Sequence, residues 1–254
     1  VTTCIDILSK PGLPFGASKE AAMYAVYEFE EWQSLPPEDA VDRIRRQHVG
    51  VWKGRAEMGT LLHTVNQEWV AGRSPDLNAL VSAVPSWEKQ IPQKIEEADR
   101  YVSDLAKFWD EYAPTDIRCE DVVRTEGVYI GSRDLVMTLK DGRRVVADIK
   151  SSAEQRSDKG LYGDSWSLQL AAYRYAREVV FYKWENKKPV IDSTEPNEPV
   201  DAGIIIHIRG NGEPMVYEVE CGPEMQDAFL QCVHLHNWRK TVPNPKPLNY
   251  REVQ

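Results

Sequence analysis

The stretch from Tyr129 to Lys150 constrains this chain more than any other: two runs rich in Val, Ile and Leu, Tyr129–Leu139 and Arg144–Lys150, flank an Asp141-Gly142 dipeptide. Asp-Gly between two β-prone runs is a strong short-range signal for an antiparallel hairpin. If the loop comprises three residues, Lys140 to Gly142, then Leu139 faces Arg143 and, counting back along both strands, Asp134 lies opposite Asp148. A two-residue loop shifts that pairing by one position. Strand side chains alternate with period two, so Asp148 and Lys150 share one face while Val145, Ala147 and Ile149 turn toward a core. By the same count Arg133 points to the face opposite Asp134, into solvent.

The hairpin therefore gathers two carboxylates and an ammonium. Like charges across a ladder destabilise it, and neighbouring carboxylates resist ionising together unless a cation neutralises them. A divalent metal resolves that conflict. A solvated face with Lys150 as a weak ion-pair partner is the commoner use of an isolated Asp-x-Lys, so the rest of the chain has to tip the balance. Gly59-Thr-Leu-Leu-His63 opens an amphipathic helix on which Leu62, Val65 and Trp69 recur at helical spacing; His63 sits off that stripe above Gly59, which leaves room beside the imidazole. Gln169-Leu-Ala-Ala-Tyr173 places an amide and a phenol one turn apart, beside an apolar series of Leu168, Ala172, Tyr175, Ala176 and Val179.

These four elements, Gly59-x-x-x-His63, Gly131-x-x-Asp134, Asp148-Ile-Lys150 and Gln169-x-x-x-Tyr173, stand in an order that resembles the RecB-like nucleases of the PD-(D/E)XK superfamily, with bacteriophage-type exonucleases and CRISPR-associated members among them. Val1-Thr-Thr-Cys-Ile-Asp-Ile-Leu8 and Trp52-Lys53 are similar to the phage-encoded members as well. The resemblance implies a restriction-endonuclease-like α/β fold, with a mixed central sheet of αβββαβ core flanked by helices and a helical N-terminal elaboration. It implies that His63, Asp134, Asp148 and the backbone carbonyl of Ile149 bind Mg2+ or Mn2+, one ion or two, the imidazole favouring Mn2+. Lys150 is then expected to orient the attacking water and steady the scissile phosphate, Gln169 to hold Lys150 or the phosphate, and Tyr173 to contact the nucleic-acid backbone. Glu120, on the preceding strand, is expected to assist the site, with Glu126 as its rival. The implied activity is DNA hydrolysis, as an exonuclease in recombination, replication or repair. A structure-specific or nicking endonuclease and a non-cleaving nucleic-acid-binding module are the alternatives.

The hydropathy pattern supports this architecture. Helices are expected over Ser18–Trp32, Pro37–Gln47, Gly59–Ala71, Asp76–Val84 and Ile91–Tyr112, and later over Ser165–Lys183 and Pro223–Lys240. Strands are expected over Ile117–Arg124, Val128–Leu139, Arg144–Lys150, Ala202–Ile208 and Pro214–Glu220, the helix at Gln169 connecting two parallel strands. Residues 186–200 read as a surface loop, and Gly160–Trp166, with Tyr162 and Trp166, as a lid whose aromatics stack on unpaired bases or close the core. A single nuclease domain over 1–254 is expected, mainly helical to residue 115, with the sheet over 116–241 and a tail from 242.

The four cysteines, Cys4, Cys119, Cys221 and Cys232, contain no Cys-x-x-Cys, so an iron–sulfur cluster is not expected and reduced thiols are. No apolar run approaches a membrane span and the first residues carry no basic-plus-apolar signal; a cytoplasmic protein is expected, in a bacterial host if phage-encoded, with a few residues upstream of Val1. A formal charge of −9 opposes nonspecific phosphate binding, leaving DNA to local basic groups: Arg43, Arg45, Arg46, Lys53 and Arg55; Lys140, Arg143 and Arg144; Arg156 and Lys159.

Overall fold

The two hydrophobic periods segregate along the chain, and the secondary structure follows them. The computed structural model describes residues 1–8, 12–152 and 163–243, with backbone alone for 12–16. Helices α1 (Thr2–Ile5), α2 (Gly12–Tyr27), α3 (Phe29–Trp32), α4 (Pro37–Val70), α5 (Leu77–Ser82) and α6 (Ile91–Tyr112) come first. After them run β1 (Thr115–Thr125), β2 (Tyr129–Thr138), β3 (Arg144–Ser151), α7 (Gly163–Arg174), β4 (Glu178–Glu185), β5 (Lys188–Pro196), β6 (Ala202–Ile208), β7 (Met215–Val219) and α8 (Pro223–Thr241). The strands form a seven-stranded sheet in the order β5-β4-β1-β2-β3-β6-β7, with β3 and β6 parallel and the other neighbours antiparallel.

The β2–β3 turn is the three-residue loop. Gly142 holds φ at +88°, its N–H reaches the Leu139 carbonyl at 2.9 Å, and the Leu139 N–H reaches that of Arg143 at 2.8 Å. Glycine adopts this left-handed conformation without the Cβ penalty other residues meet. The resulting register pairs Leu135 with Ala147 and Thr138 with Arg144, and continuing it sets Asp134 against Asp148.

A helical layer covers each face of the sheet. Leu62 and Val65 of α4, with Leu105 and Phe108 of α6, pack on Leu135, Met137, Ala147, Ile149 and Ile206. On the other face Leu170 and Ala171 of α7, with Phe229 of α8, pack on Val136, Val146 and Ile205. The one-residue offset between the two sets is the period-two alternation expected of a sheet buried on both sides.

Three expectations need correction. The helices foreseen at Pro37–Gln47 and Gly59–Ala71 are one 34-residue helix, α4, which runs through Gly50 and Gly54 because helix glycines cost only about 1 kcal/mol each. The helix foreseen to Lys183 stops at Arg174, where the Asn197 side-chain amide donates to the carbonyls of Tyr173, Arg174 and Ala176 at 3.1, 3.4 and 2.9 Å. The Val179-Val180-Phe181-Tyr182 run beyond it enters β4 instead, as β-branched and aromatic residues favour. Residues 188–196, foreseen as loop, form β5; all nine are exposed, so no alternation marked them. The β4–β5 hairpin is thereby inserted between α7 and β6, while the parallel β3–β6 pairing stands.

Leu62, fully buried, fastens α4 to the sheet. Leu62→Ala is expected to cost about 2–5 kcal/mol in urea unfolding, and a cost below about 1 kcal/mol would show that α4 does not pack there.

Candidate active site and metal centre

Strands β2 and β3 part where the two acids meet. Their ladder ends at Leu135–Ala147; from there β2 follows β1 to Thr125–Tyr129 and β3 follows β6 to Ser151–Ile208. Asp134 and Asp148 stand at the mouth of this fork. The Asp134 carboxylate reaches across it, its Oδ2 accepting the Ile149 N–H at 2.7 Å.

Sheet alternation also slips here. Leu135 and Met137 face α4 and α6, so strict alternation would put Arg133 on that face. Arg133 instead reaches the α7 side, where its guanidinium donates to Asn197 Oδ1 at 2.7 Å and Asp121 Oδ2 at 2.9 Å. On β1 the same slip separates Cys119, packed toward α4, from Val123, packed toward α7. Glu120 between them has φ +55°, a conformation that costs a non-glycine residue about 1–2 kcal/mol. In the β1–β2 register Glu120 lies opposite Asp134, so the slip re-aims a facing pair of acids together.

Helix α4 brings the imidazole to them. His63 Nδ1 lies 3.3 Å from Glu120 Oε1 and 3.7 Å from Asp134 Oδ2; Gln67, one turn on, and Ser132 also hydrogen-bond Glu120. A Cβ at Gly59 would fall 3.4 Å from Ser151 Oγ, at the end of β3, and would meet no atom of the imidazole, so the room expected beside His63 faces β3 instead. Between Glu120 and Glu126, the structure places Glu120 in the site; Glu126 lies past the end of β1.

Asp148, Lys150, Gln169 and Tyr173 form an adjoining chain. Lys150 Nζ lies 2.5 Å from Asp148 Oδ2 and 3.3 Å from Gln169 Oε1. The Gln169 amide donates to Asp148 Oδ1 at 2.9 Å and to the Tyr173 hydroxyl at 3.0 Å. Gln169 therefore fixes both the acid and the lysine. Tyr173 is 3% exposed and packs against Gly131, which corrects the expected contact with a nucleic-acid backbone: the phenol sits beneath the site and supports Gln169.

The electrostatics match a cation site. Burial, then the Asp148 charge, pushes the Asp134 carboxyl up to about 7. Burial alone would lower the His63 imidazole, but Glu120, Asp134 and Asp148 outweigh it and raise its pKa. Burial works to raise Glu120, yet its bonds to His63 and Gln67 prevail and hold it below the usual carboxylate range. One ligand atom each from His63, Glu120 and Asp134 lie within 4.8 Å of one another. That spacing and the mixed nitrogen and oxygen donors fit a divalent metal. Asp148 stands beside this group with its carboxylate bound by Gln169 and Lys150.

The sequence reading missed the support for this site. Arg133, expected in solvent, is 3% exposed; it joins β1 through Asp121, which also binds Arg118 at 2.9 Å, to the Asn197 cap on α7. Period-two counting could not foresee the slip at Asp134, and Asn197 lay in a stretch without period. Several of the basic groups are paired: Arg43 with Glu31, Arg45 and Arg46 with Asp42, Arg143 with Asp141 and Glu218, and Arg144 with Asp116 and Glu198. Arg143 and Arg144 also lie at the end of the hairpin away from the fork. Gly160, Tyr162, Arg156 and Lys159 lie outside the described residues; Trp166 sits in the first turn of α7, its ring 6.4 Å from that of His207.

The family model of the PD-(D/E)XK nuclease superfamily matches residues 29–209, more than two thirds of the chain. The chain belongs to the PD-(D/E)XK nuclease superfamily, whose members use divalent metals on nucleic acid, and its sheet and flanking helices have the corresponding restriction-endonuclease-like form. A solved structure titled "Crystal structure of SSO0001" is similar at 14% identity, over 74% of this chain and 76% of that one, with a TM-score of 0.31. A search of curated proteins gave no match. Among the described residues no helix is long and apolar enough to cross a membrane.

Two outcomes are expected. Without metal, the raised Asp134 and His63 mean that the folded state binds more protons than the unfolded one, so stability falls as pH rises from about 5 to about 8. Thermal melts should show a larger Mn2+ gain at the upper pH, where the cation no longer competes with those protons; an equal gain at both would remove Asp134 and His63 from the ligand set. Arg133→Ala should cost about 2–4 kcal/mol, because it leaves Asp121 and Asn197 short of a buried partner, and a near-neutral result in denaturant titration would contradict that role.

Proposed function

We propose that this protein is a metal-dependent deoxyribonuclease of the RecB-like, bacteriophage type, which shortens DNA from its ends during recombination, replication or repair. The observation that carries the proposal is the convergence of His63, Glu120 and Asp134 beside Asp148 and Lys150 at one sheet fork. The resemblance of the four motifs to RecB-like exonucleases supports the choice of DNA and of ends.

In this reading His63, Glu120 and Asp134 would hold Mg2+ or Mn2+, with Asp148 and the Ile149 carbonyl as the further ligands that the resemblance implies. The metal, when bound, supplies Lewis acidity at the phosphate and lowers the pKa of a coordinated water. Lys150 does the protein's share. Its ammonium, fixed between Asp148 and Gln169, faces the point where negative charge grows on the scissile phosphate and orients the attacking water. Gln169 accepts from the Lys150 ammonium, and its amide N–H groups, held by Asp148 and the Tyr173 hydroxyl, fix that oxygen toward the lysine. Hydrolysis proceeds without a covalent intermediate.

The test is incubation with Mn2+ and end-labelled or circular DNA. Shortening from one terminus with circles left intact is expected; cut circles would make the protein an endonuclease, and activity in excess chelator would refute the metal mechanism. Asp148→Asn and Lys150→Ala should each lower turnover by at least about a hundredfold in folded protein, and wild-type rates in either would remove that residue from the chemistry.

A further inference from the structure

A cavity of about 600 Å³ lies on the α4 side of the sheet, next to the site but separate from it, between α4, α6 and the end of β3. We propose that it takes one unpaired nucleotide of the substrate strand, close to the scissile phosphate; the assignment rests on the nuclease reading above.

Its position comes first. Ser151 and Ser152 line it and directly follow Lys150, and Met58 lines it next to Gly59. Along α4, Arg55 of the cavity, Gly59 and His63 follow one another at one-turn intervals, so about 12 Å of helix separates the cavity from the metal ligand. A strand bound at the metal passes this opening.

Its lining suits a nucleotide. Met58, Trp87 and Tyr101 give an apolar and aromatic wall for a base, while Lys53, Arg55 and Lys94 supply cations for its phosphate. Each of these cations already has an acid as partner, Lys53 with Glu57, Lys94 with Glu97 at 2.6 Å and Arg55 with Glu20 at 3.1 Å, and an incoming phosphate competes with these solvent-screened pairs. Trp87 is 2% exposed and its indole N–H has no acceptor among the described residues, a donor that a base carbonyl would satisfy.

The helix backbone is open where it borders the cavity. Gly50 and Gly54 both line it, and a Cβ at either would meet no heavy atom within 4 Å. Packing within the protein therefore requires neither glycine, although each costs the helix about 1 kcal/mol relative to alanine. Close approach of a ligand accounts for both. A base inside a duplex remains stacked and paired, so occupancy of this cavity selects single-stranded or frayed ends.

Gly54→Leu projects a side chain from a position where a Cβ meets no heavy atom within 4 Å. The expected result is a rise in KM of about tenfold or more for a single-stranded oligonucleotide, with kcat and Mn2+ affinity within about twofold of wild type; an unchanged KM would overturn the proposal. A second measurement needs no catalysis. In chelator, the fluorine NMR signal of 5-fluorotryptophan-labelled protein that is lost in Trp87→Phe should shift on titration with a short oligothymidylate and should not shift in Gly54→Leu. Absence of the wild-type shift, or an equal shift in the variant, would also overturn the proposal. Failure of the wild-type protein to cleave any DNA would count against the proposed function alone, because the titration reads the cavity independently.

Discussion

Repulsion between buried carboxylates is the constraint around which this protein is built. Asp134 and Asp148 face each other on adjoining strands, and Glu120 is turned onto the same point by a backbone conformation glutamate does not favour. A hydrophobic fold would not gather three acids without a counter-charge. Two protein cations answer part of that demand, His63 from α4 and Lys150 from β3, and a divalent ion answers the rest. The fork between β2 and β3 follows from the same demand, because an unbroken ladder would hold the acids at a fixed cross-strand spacing with no opening for a ligand or a phosphate.

The scaffold holds these charges from both sides of the sheet. Leu62 and Val65 seat α4, and with it His63, on one face; Leu170 and Ala171 seat α7, and with it Gln169, on the other. Arg133 ties the layers together. It reaches from the residue before Asp134 to Asp121 on β1 and to the Asn197 that ends α7, so the position of the acid and the position of the glutamine helix share one buried hydrogen-bonded link. Burial disfavours the Arg133 charge and lowers its pKa; Asp121 is the compensation.

Much of this was legible in the sequence because it rests on local rules. Asp141-Gly142 signalled the hairpin and left its loop at two or three residues, of which the three-residue turn sets Asp134 against Asp148; α6 likewise runs from Ile91 to Tyr112 as its apolar period indicates. What escaped depends on tertiary context. Two separate helices were expected where α4 runs unbroken from Pro37 to Val70. The exposed β5 shows no alternation because neither of its faces is buried. The slip at Glu120 and Asp134 inverts the face of Arg133, and no period in either strand announces it. Glu120 was foreseen as an assistant to the site, whereas its position in the compact ligand group depends on that slip.

The most direct test of the account is an anomalous-difference map of crystals grown with Mn2+. The account predicts a peak between His63, Glu120 and Asp134, within coordination distance of all three. A folded protein with no peak at the fork, or a peak ligated by other residues, would contradict it.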